Sequence, residues 1–570
     1  MEPRRRWLVR PPAQALVDSP FPPLIRHLLY YRGVRSEGEA ARFLFLEPSP
    51  EHDPHLLPGV ERAVERLSAA ITGGEVIAVF GDFDVDGVTA AALLAQALAE
   101  LGARVITYIP NRFSEGYGLN VGAITSLRQR GASLLLAADC GTSSVEEVEH
   151  ARRLGMDVII LDHHAIPPAL PPAVALVNPK LLPDARGRPP SAEAGQESPL
   201  GELASVGVTY KAMAALYQAL GRVWQPQRFL DLVAIGTVAD LAPLVGENRY
   251  LVKEGLAAIA RAQRPGLRAL IAVAGPRPEG VDSEAIAYAL GPRLNAAGRL
   301  AHAELSLRLL LTQDEGEAAQ VARQLNALNQ ERQRQTEEAL ATAAELLTAE
   351  DAQAPLIFVG HPDISEGIVG LVASKLVDER YRPAIVYQKG ESESRGSCRS
   401  IPEFDIVAAL GRQAHLLVRY GGHARAAGFT VANANLPALK KGLLEQAASE
   451  FAGVELSPAL AIDAELSLAC LRGEDIRWLQ RFQPHGQGNP EPTFLSRGVS
   501  VAEARLLGND GQHLRLKLKD GPVTWPAIAF NMGERAVEAG QRVDVVYSLA
   551  SERRGDDALE LRIKDLVPSG

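Results

Sequence analysis

"EVIAVFGDFDVDGVTAAALLAQALAEL" (75–101) holds three kinds of text in succession. A β-branched apolar run ends in a glycine, three aspartates follow at alternate positions (Asp82, Asp84, Asp86), and an Ala/Leu-rich stretch of helical composition closes it. A buried strand that empties through carboxylates into a helix is the first half of a βα unit. The D-x-D-x-D-G spelling also opens an EF-hand loop. That reading fails, because the loop's twelfth position is Leu93 rather than a bidentate acid and a strand, not a helix, precedes it. The helix is expected to begin at Asp86–Gly87, with Asp86 as its cap.

The same design recurs downstream. Short apolar runs "RVITYI" (104–109), "SLLLAA" (133–138), "DVIIL" (157–161) and "AVALV" (173–177) alternate with helical segments, which implies a parallel sheet in an α/β domain. The run 133–138 ends in Asp139, and the run 157–161 in Asp162, His163 and His164. A later apolar helix, "DLVAIGTVADLAPL" (231–244), closes on Asp240. In an open parallel sheet the carboxyl ends of the strands share one edge, so Asp82, Asp84, Asp139 and His163 are expected to converge there. Carboxylates gathered without counter-charge repel and are forced toward neutrality. Divalent cations relieve that repulsion, and oxygen donors with one imidazole favour manganese or magnesium over zinc.

Composition bounds the rest. At 570 residues the chain is too long for one core. Its 46% apolar and 22% charged content is that of a soluble globular protein. The net charge of −10 does not by itself suggest a nucleic-acid binder, although acids committed to metal ions inflate the negative tally. Three scattered cysteines without a CxxC argue against disulfides and zinc knuckles, and the basic start lacks a signal peptide's apolar run. A cytoplasmic location without membrane contact is expected.

Residues 22–46 have helical spacing. Residues 314–348 form one polar helix without a sustained apolar heptad, so it reads as a connector. A second α/β unit begins at "APLIFVG" (354–360). From about 460 the text turns all-β, with five short strands joined by Gly/Asn/Asp turns, which suits a small closed barrel of the OB type.

The motifs "GDFDVDG", "ADCGTS", "LDHH" and "GTVADLAPL" resemble, in order and spacing, those of the DHH phosphoesterase superfamily. "GGHARAAGF" (421–429) resembles the glycine-rich motif of the DHHA1 domain. "GPRLNAAGRL" (291–300), "ISEGIVGLVASKL" (364–376), "GSCRSIPEFD" (396–405) and "PHGQGNPEP" (484–492) are similar to those of RecJ-type single-strand-specific exonucleases.

The resemblance implies five parts: an N-terminal helical segment (1–70) packing on the catalytic domain, a DHH domain (71–313), a connector helix (314–350), a DHHA1 domain (351–455) and an OB domain (456–570). It implies a metal-dependent exonuclease that degrades single-stranded DNA from the 5′ end to 5′-mononucleotides, in recombination and repair, with a single-strand-binding protein and a helicase as partners. Asp84, Asp139, His163 and Asp240 would hold one Mn2+ or Mg2+, and Asp82 with a bridging Asp139 the second. Asp162 would orient His163, and His164 would meet the scissile phosphate. Small DHH enzymes carry a histidine four residues before the first Asp; Ala78 stands there, which implies a weaker second ion.

Arg112, Arg299, Ser397 and Arg399 would form a pocket for a 5′-terminal phosphate, with Gly421, Gly422 and His423 along the strand; local ion pairs are the alternative for each arginine. Phe494, Trp525 and Phe530 are either base-stacking or core residues. Two other functions stay in view: a small-substrate DHH phosphoesterase acting on oligonucleotides or cyclic dinucleotides, and a catalytically inactive DNA-binding scaffold.

Overall fold

A computed structural model describes residues 5–13, 20–47, 51–182, 198, 200–471, 473–508, 510–535, 537–551 and 559–569. It divides into two compact units: residues 1–49 with 455–485 and 489–570, and residues 50–454 with 486–488. The first unit opens with β1 (Arg6–Val9), α1 (Pro23–Tyr30) and α2 (Glu37–Phe45). Ser36 and Glu39 close a reciprocal capping box at the start of α2.

The second unit carries the acids. After α3 (Val60–Thr72) come β2 (Val76–Gly81), α4 (Val85–Glu100), β3 (Arg104–Tyr108), α5 (Val121–Gln129), β4 (Ala132–Ala138), α6 (Val145–Arg153), β5 (Asp157–Leu161) and β6 (Ala175–Val177). The five strands are parallel in the order β3-β2-β4-β5-β6. The strand order reverses between β2 and β4, so the crevice that such sheets use for ligands opens between their carboxyl ends. Asp82 follows β2 and Asp139 follows β4.

One face is covered by an apolar layer of α3, α4, α7 (Ser205–Ala219) and α8 (Leu230–Ala239). Further helices follow: α9 (Gly246–Ala260), α10 (Pro265–Ala274), and α11 (Ser283–Ala285) running through a π-turn at 286–290 into α12 (Gly291–Leu300), then α13 (Glu304–Leu311). The connector is α14 (Glu315–Leu346), 32 residues and about 48 Å long. Asp314 caps it, its side chain accepting from the Glu317 N–H.

Beyond α15 (Ala349–Gln353) lies a second sheet: β7 (Ile357–His361), α16 (Val369–Arg380), β8 (Ala384–Lys389), β9 (Glu393–Arg399), α17 (Ile406–Arg412), β10 (Leu417–His423), β11 (Ala426–Ala432) and α18 (Leu436–Glu450). Its order is β10-β11-β9-β8-β7, with only β7 and β8 parallel.

The first unit resumes with β12 (Ala459–Ile462), which pairs in parallel with β1, then β13 (Ala464–Glu465) and α19 (Gly473–Gln480). β14 (Phe494–Leu507), β15 (His513–Asp520), β16 (Val523–Ala529), β17 (Arg542–Ser551) and β18 (Leu559–Pro568) form a barrel that β14 closes by pairing with both β15 and β17. The N-terminal helices belong to this unit, whereas residues 50–70 belong to the other. Phe21, Ile25, Leu28, Leu29 and Leu44 share one core with Phe482, Val499, Leu516 and Tyr547, and only α3 joins the acid-bearing unit. Among the described residues, no helix is long and apolar enough to cross a membrane.

Candidate metal centre and nucleic-acid groove

Helix α4 starts one residue after Asp84, whose side chain accepts the Gly87 N–H at 3.1 Å. Asp84 is therefore the cap expected at Asp86. Asp86 lies inside the first turn, and its carboxylate crosses to α7, which has no side-chain cap of its own. There it accepts the N–H groups of Ser205 (2.8 Å) and Val206 (2.9 Å). Gly87 is required by this turn: a Cβ there would lie 2.5 Å from the Asp82 nitrogen. Asp139 leaves β4 at φ 63°, a left-handed conformation costly for a residue with a side chain and frequent at functional sites. The Asp139 N–H donates to Leu161 O at 3.0 Å, and Ser205 Oγ donates to its carboxylate at 3.0 Å. His163 follows β5, and Asp240 ends α8.

These side chains converge. Candidate donor atoms lie within 4.8 Å of one another in three overlapping sets: Asp82, Asp84 and Asp139; Asp86, His163 and Asp240; and Asp139, His163 and His164. His163 Nε2 stands 3.4 Å from Asp139 and 3.6 Å from Asp240. Burial, reinforced by Asp84, pushes the Asp82 and Asp139 carboxyls well above their ordinary range. The same causes raise Asp86 to about 7, and burial with Asp86 and Asp84 raises Asp240 to about 8. Asp82 Oδ1 is buried with no hydrogen-bond partner.

Burial, aided by the cationic His164, lowers His163 to about 3, so its imidazole is neutral and free to donate a lone pair. Orphaned buried oxygens, mutually repelling acids and one neutral imidazole fit hard divalent cations. The structure groups the donors differently from the resemblance: Asp86, not Asp84, joins His163 and Asp240, while Asp84 joins Asp82. Ala78 lies within β2 in an apolar layer with Phe80, Leu135 and Ile160. A ligand at that position is about four strand residues, some 13 Å, short of Asp82.

Asp162 also differs from expectation. Its Oδ1 accepts the N–H groups of His163 (2.8 Å) and His164 (3.2 Å) and contacts His164 Nδ1 at 2.7 Å. The tight turn after β5 brings the ring two residues on, not the adjacent one, within its reach. Burial opposes the charge on His164, but the Asp162 hydrogen bond and the surrounding acids overcome it and raise the imidazole to about 9. His164 is thus a cation at neutral pH, with Tyr117 Oη 3.1 Å from its Nε2.

The arginines gather nearby. Arg112 lies over the Phe83 ring, 4.9 Å from its centroid. Buried Arg299 donates to Gly367 O at 3.2 Å. Burial lowers its guanidinium to about 9, and Arg112, Arg332 and Arg399 push it the same way. Arg399 donates to Ser397 Oγ at 2.9 Å, and both abut Gly370 at the uncapped start of α16, where a Cβ would lie 3.1–3.2 Å from them. The register β9–β11–β10 aligns Arg399, Ala426 and His423 in one row and Ser397, Gly428 and Gly421 in the next. Small residues therefore floor the space between the Arg/Ser pair and His423, and a Cβ on Gly421 would meet nothing within 4 Å. Gly422, at φ 141°, could not carry one: it would lie 2.4 Å from Ala426 O. In the barrel, Phe494 is core and Trp525 is half-buried, its Nε1 donating to Leu468 O. Phe530 is 46% exposed beside His513.

The domain sequence matches known families in order: the DHH family N-terminal domain at 76–237, the DHHA1 domain at 352–451 and the RecJ OB domain at 462–565. The single-stranded-DNA-specific exonuclease RecJ of Bacillus subtilis is 34% identical over 576 residues, covering 99% of this chain and 71% of that one. This chain belongs to the RecJ family. RecJ from Thermus thermophilus, solved with Mn2+, is similar over the whole chain and 80% of its own, with a TM-score of 0.83 at 33% identity. The same protein solved with Mg2+ gives 0.76 at 32%, covering 79% of that chain. The Thermus RecJ thus takes either ion, and the carboxylate cluster here provides donors suited to both.

Proposed function

We propose that this RecJ-family chain hydrolyses single-stranded DNA from its 5′ end, releasing 5′-mononucleotides, in recombination and repair. The observation that carries the reading is the juxtaposition of an acid cluster fit for two cations with a pocket of arginines that, among the described residues, lack carboxylate partners. Two divalent cations supply, when bound, charge neutralisation of the phosphate and an acidified water.

The protein's own groups do the rest. Asp86, His163 and Asp240 would offer one ion two carboxylates and an imidazole, and Asp82, Asp84 and Asp139 would offer the other three carboxylates; with Ala78 in place of a further histidine, that second ion would be held more weakly. His164, kept protonated by Asp162, donates to a non-bridging oxygen of the scissile phosphate, a charge-assisted bond. Tyr117 holds the outer edge of that ring.

Arg112, Arg299 and Arg399, with Ser397 and the start of α16, take the terminal phosphate. A 5′-monoester carries more charge and one more acceptor oxygen than an internal diester, so this pocket selects the end. Gly421, Gly422 and His423 line the following backbone. A single-strand-binding protein and a helicase are the partners this activity calls for, the one covering its substrate and the other producing it.

End-labelled single- and double-stranded oligonucleotides with Mn2+, Mg2+ or EDTA test the reading. Mononucleotide release from the 5′ end of single strands only, abolished by EDTA, is expected; cleavage confined to dinucleotides would favour a small-substrate phosphoesterase. Arg399→Ala and Arg299→Ala should lower the rate ratio of 5′-phosphorylated to 5′-hydroxyl strands at least tenfold, from lost charge-assisted bonds of about 1.5–3 kcal/mol each. An unchanged ratio in both would remove the pocket assignment.

A further inference from the structure

The connector helix α14 carries buried polar atoms that none of the chemistry above uses. Asn329 is 2% exposed, and its Oδ1 has no hydrogen-bond partner. Arg332, one turn on, has a buried Nε without a partner. An unsatisfied buried polar atom costs about 1–3 kcal/mol, so two on one helix call for a ligand or another compensation.

Their place on the helix is fixed by a neighbouring contact. Arg293 of α12 donates from Nε to Asn326 Oδ1 of α14 at 3.0 Å. Six residues further along each helix stand Arg299 and Arg332. At 1.5 Å per residue each lies about 9 Å along its own helix from that contact. Arg332 and Arg299 are indeed close enough to repel, as are Arg332 and Arg293. No ion pair with a carboxylate joins Arg293, Arg299 or Arg332 among the described residues. Guanidinium groups gathered from two helices without acids fit phosphate oxygens.

We infer that Arg332, whose unpaired donor calls for an acceptor, binds with Arg293 beside it an internal backbone phosphate of the single strand, next to the end pocket that Arg299 serves. The connector helix is then part of the substrate groove and not merely a spacer. This inference rests on the nuclease reading given above. It separates end selection, which needs the terminal monoester, from strand grip, which does not.

The test is binding of a twelve-residue oligo(dT), with 5′-hydroxyl or 5′-phosphate, to the full chain in Ca2+ to suppress hydrolysis. Arg332→Gln should weaken both strands alike, about three- to tenfold at 0.1 M salt. The slope of log Kd against log salt should fall by about 0.7, one phosphate contact on a single strand. Arg332→Lys should keep the wild-type slope. Because the substitution removes a repelling charge, the melting temperature without DNA should stay level or rise.

Unchanged affinity and slope would overturn the inference. So would weakening confined to the 5′-phosphorylated strand, which would place Arg332 in the end pocket. A lower melting temperature with an unchanged slope would make the residue structural. Wild-type protein that neither binds nor digests single strands would instead sink the nuclease reading itself.

Discussion

Replacing Asp162 with Asn isolates the role of the second histidine. The amide is isosteric and keeps an oxygen to accept the His163 and His164 N–H groups, so the turn after β5 should persist, with the bond from the Thr142 N–H to Oδ2 (3.1 Å) lost. What disappears is the charge 2.7 Å from His164 Nδ1, a principal support for the imidazole's pKa of about 9. Without it burial remains, and the pKa should fall to the ordinary value of about 6.5 or below. At pH 7.5 a group of pKa 9 is about 97% protonated and one of pKa 6.5 about 9%, so the variant should lose roughly tenfold in rate from protonation alone.

The pH profile is more telling than the rate. Since the protonated form is the active one, activity falls as pH rises through the His164 pKa, and the descending limb should move down by about two units or more in Asp162→Asn. The assay is release of acid-soluble nucleotide from a 5′-phosphorylated oligo(dT) with saturating Mg2+ between pH 6 and 9.5. His164→Gln, which has no proton to lose, should show a low rate and no such limb. A descending limb at the same pH in wild type and Asp162→Asn would refute the coupling of these two residues.

Further perturbations probe the metal centre. The carboxyls of Asp86 and Asp240, raised to about 7 and 8, favour the folded state in their protonated forms. Stability in EDTA should therefore decline as pH rises from the ordinary carboxyl range to 7–8 and level off above it, and Mn2+ should flatten that slope in a melting series from pH 5 to 9; melting temperatures that climb with pH in EDTA would contradict the sign. Asp86→Asn should bind one tightly held Mn2+ fewer by calorimetry, whereas two retained ions would restore Asp84 to the His163 set. Gly87→Ala forces a Cβ to 2.5 Å from backbone and should cost about 1–3 kcal/mol in denaturant unfolding; a change under about 0.5 kcal/mol would mean that α4 can shift away. Asp139→Ala should abolish hydrolysis while leaving the melting temperature in EDTA unchanged or higher, because it removes a repelling acid; activity above about one per cent of wild type would refute the two-ion reading.

The acids were legible because parallel-sheet topology alone sends Asp82, Asp139 and His163 to one edge. Their partition was not. Whether Asp84 or Asp86 caps α4 depends on a two-residue choice of helix start, and the groups that engage Asp86 lie at Ser205 and Val206, 119 and 120 residues away, with no local trace. The resemblance gives Asp162 to His163; the tight turn after β5 puts its oxygen on the His163 N–H and on the His164 ring, a contact the sequence does not display. Nothing in the sequence singles out Arg332 on its polar helix, since periodicity does not show which face another helix covers. The barrel's strands were clear from alternation and turns. The partner of α1 and α2 was not, because an amphipathic stripe says that a surface is buried but not against what.

That shared core of the first and last segments has a consequence for biosynthesis. Phe21, Ile25 and Leu28 leave the ribosome early, yet Tyr547, against whose core they pack, follows more than 500 residues later. At about 5–20 residues per second the gap lasts roughly half a minute to a minute and three-quarters. Throughout it, 405 residues of the other unit emerge and can fold while these apolar side chains have no native partner. The nascent N-terminus is thus a chaperone client by construction. A protein truncated within the barrel should fail first at its opposite end, by protease cutting between residues 20 and 46.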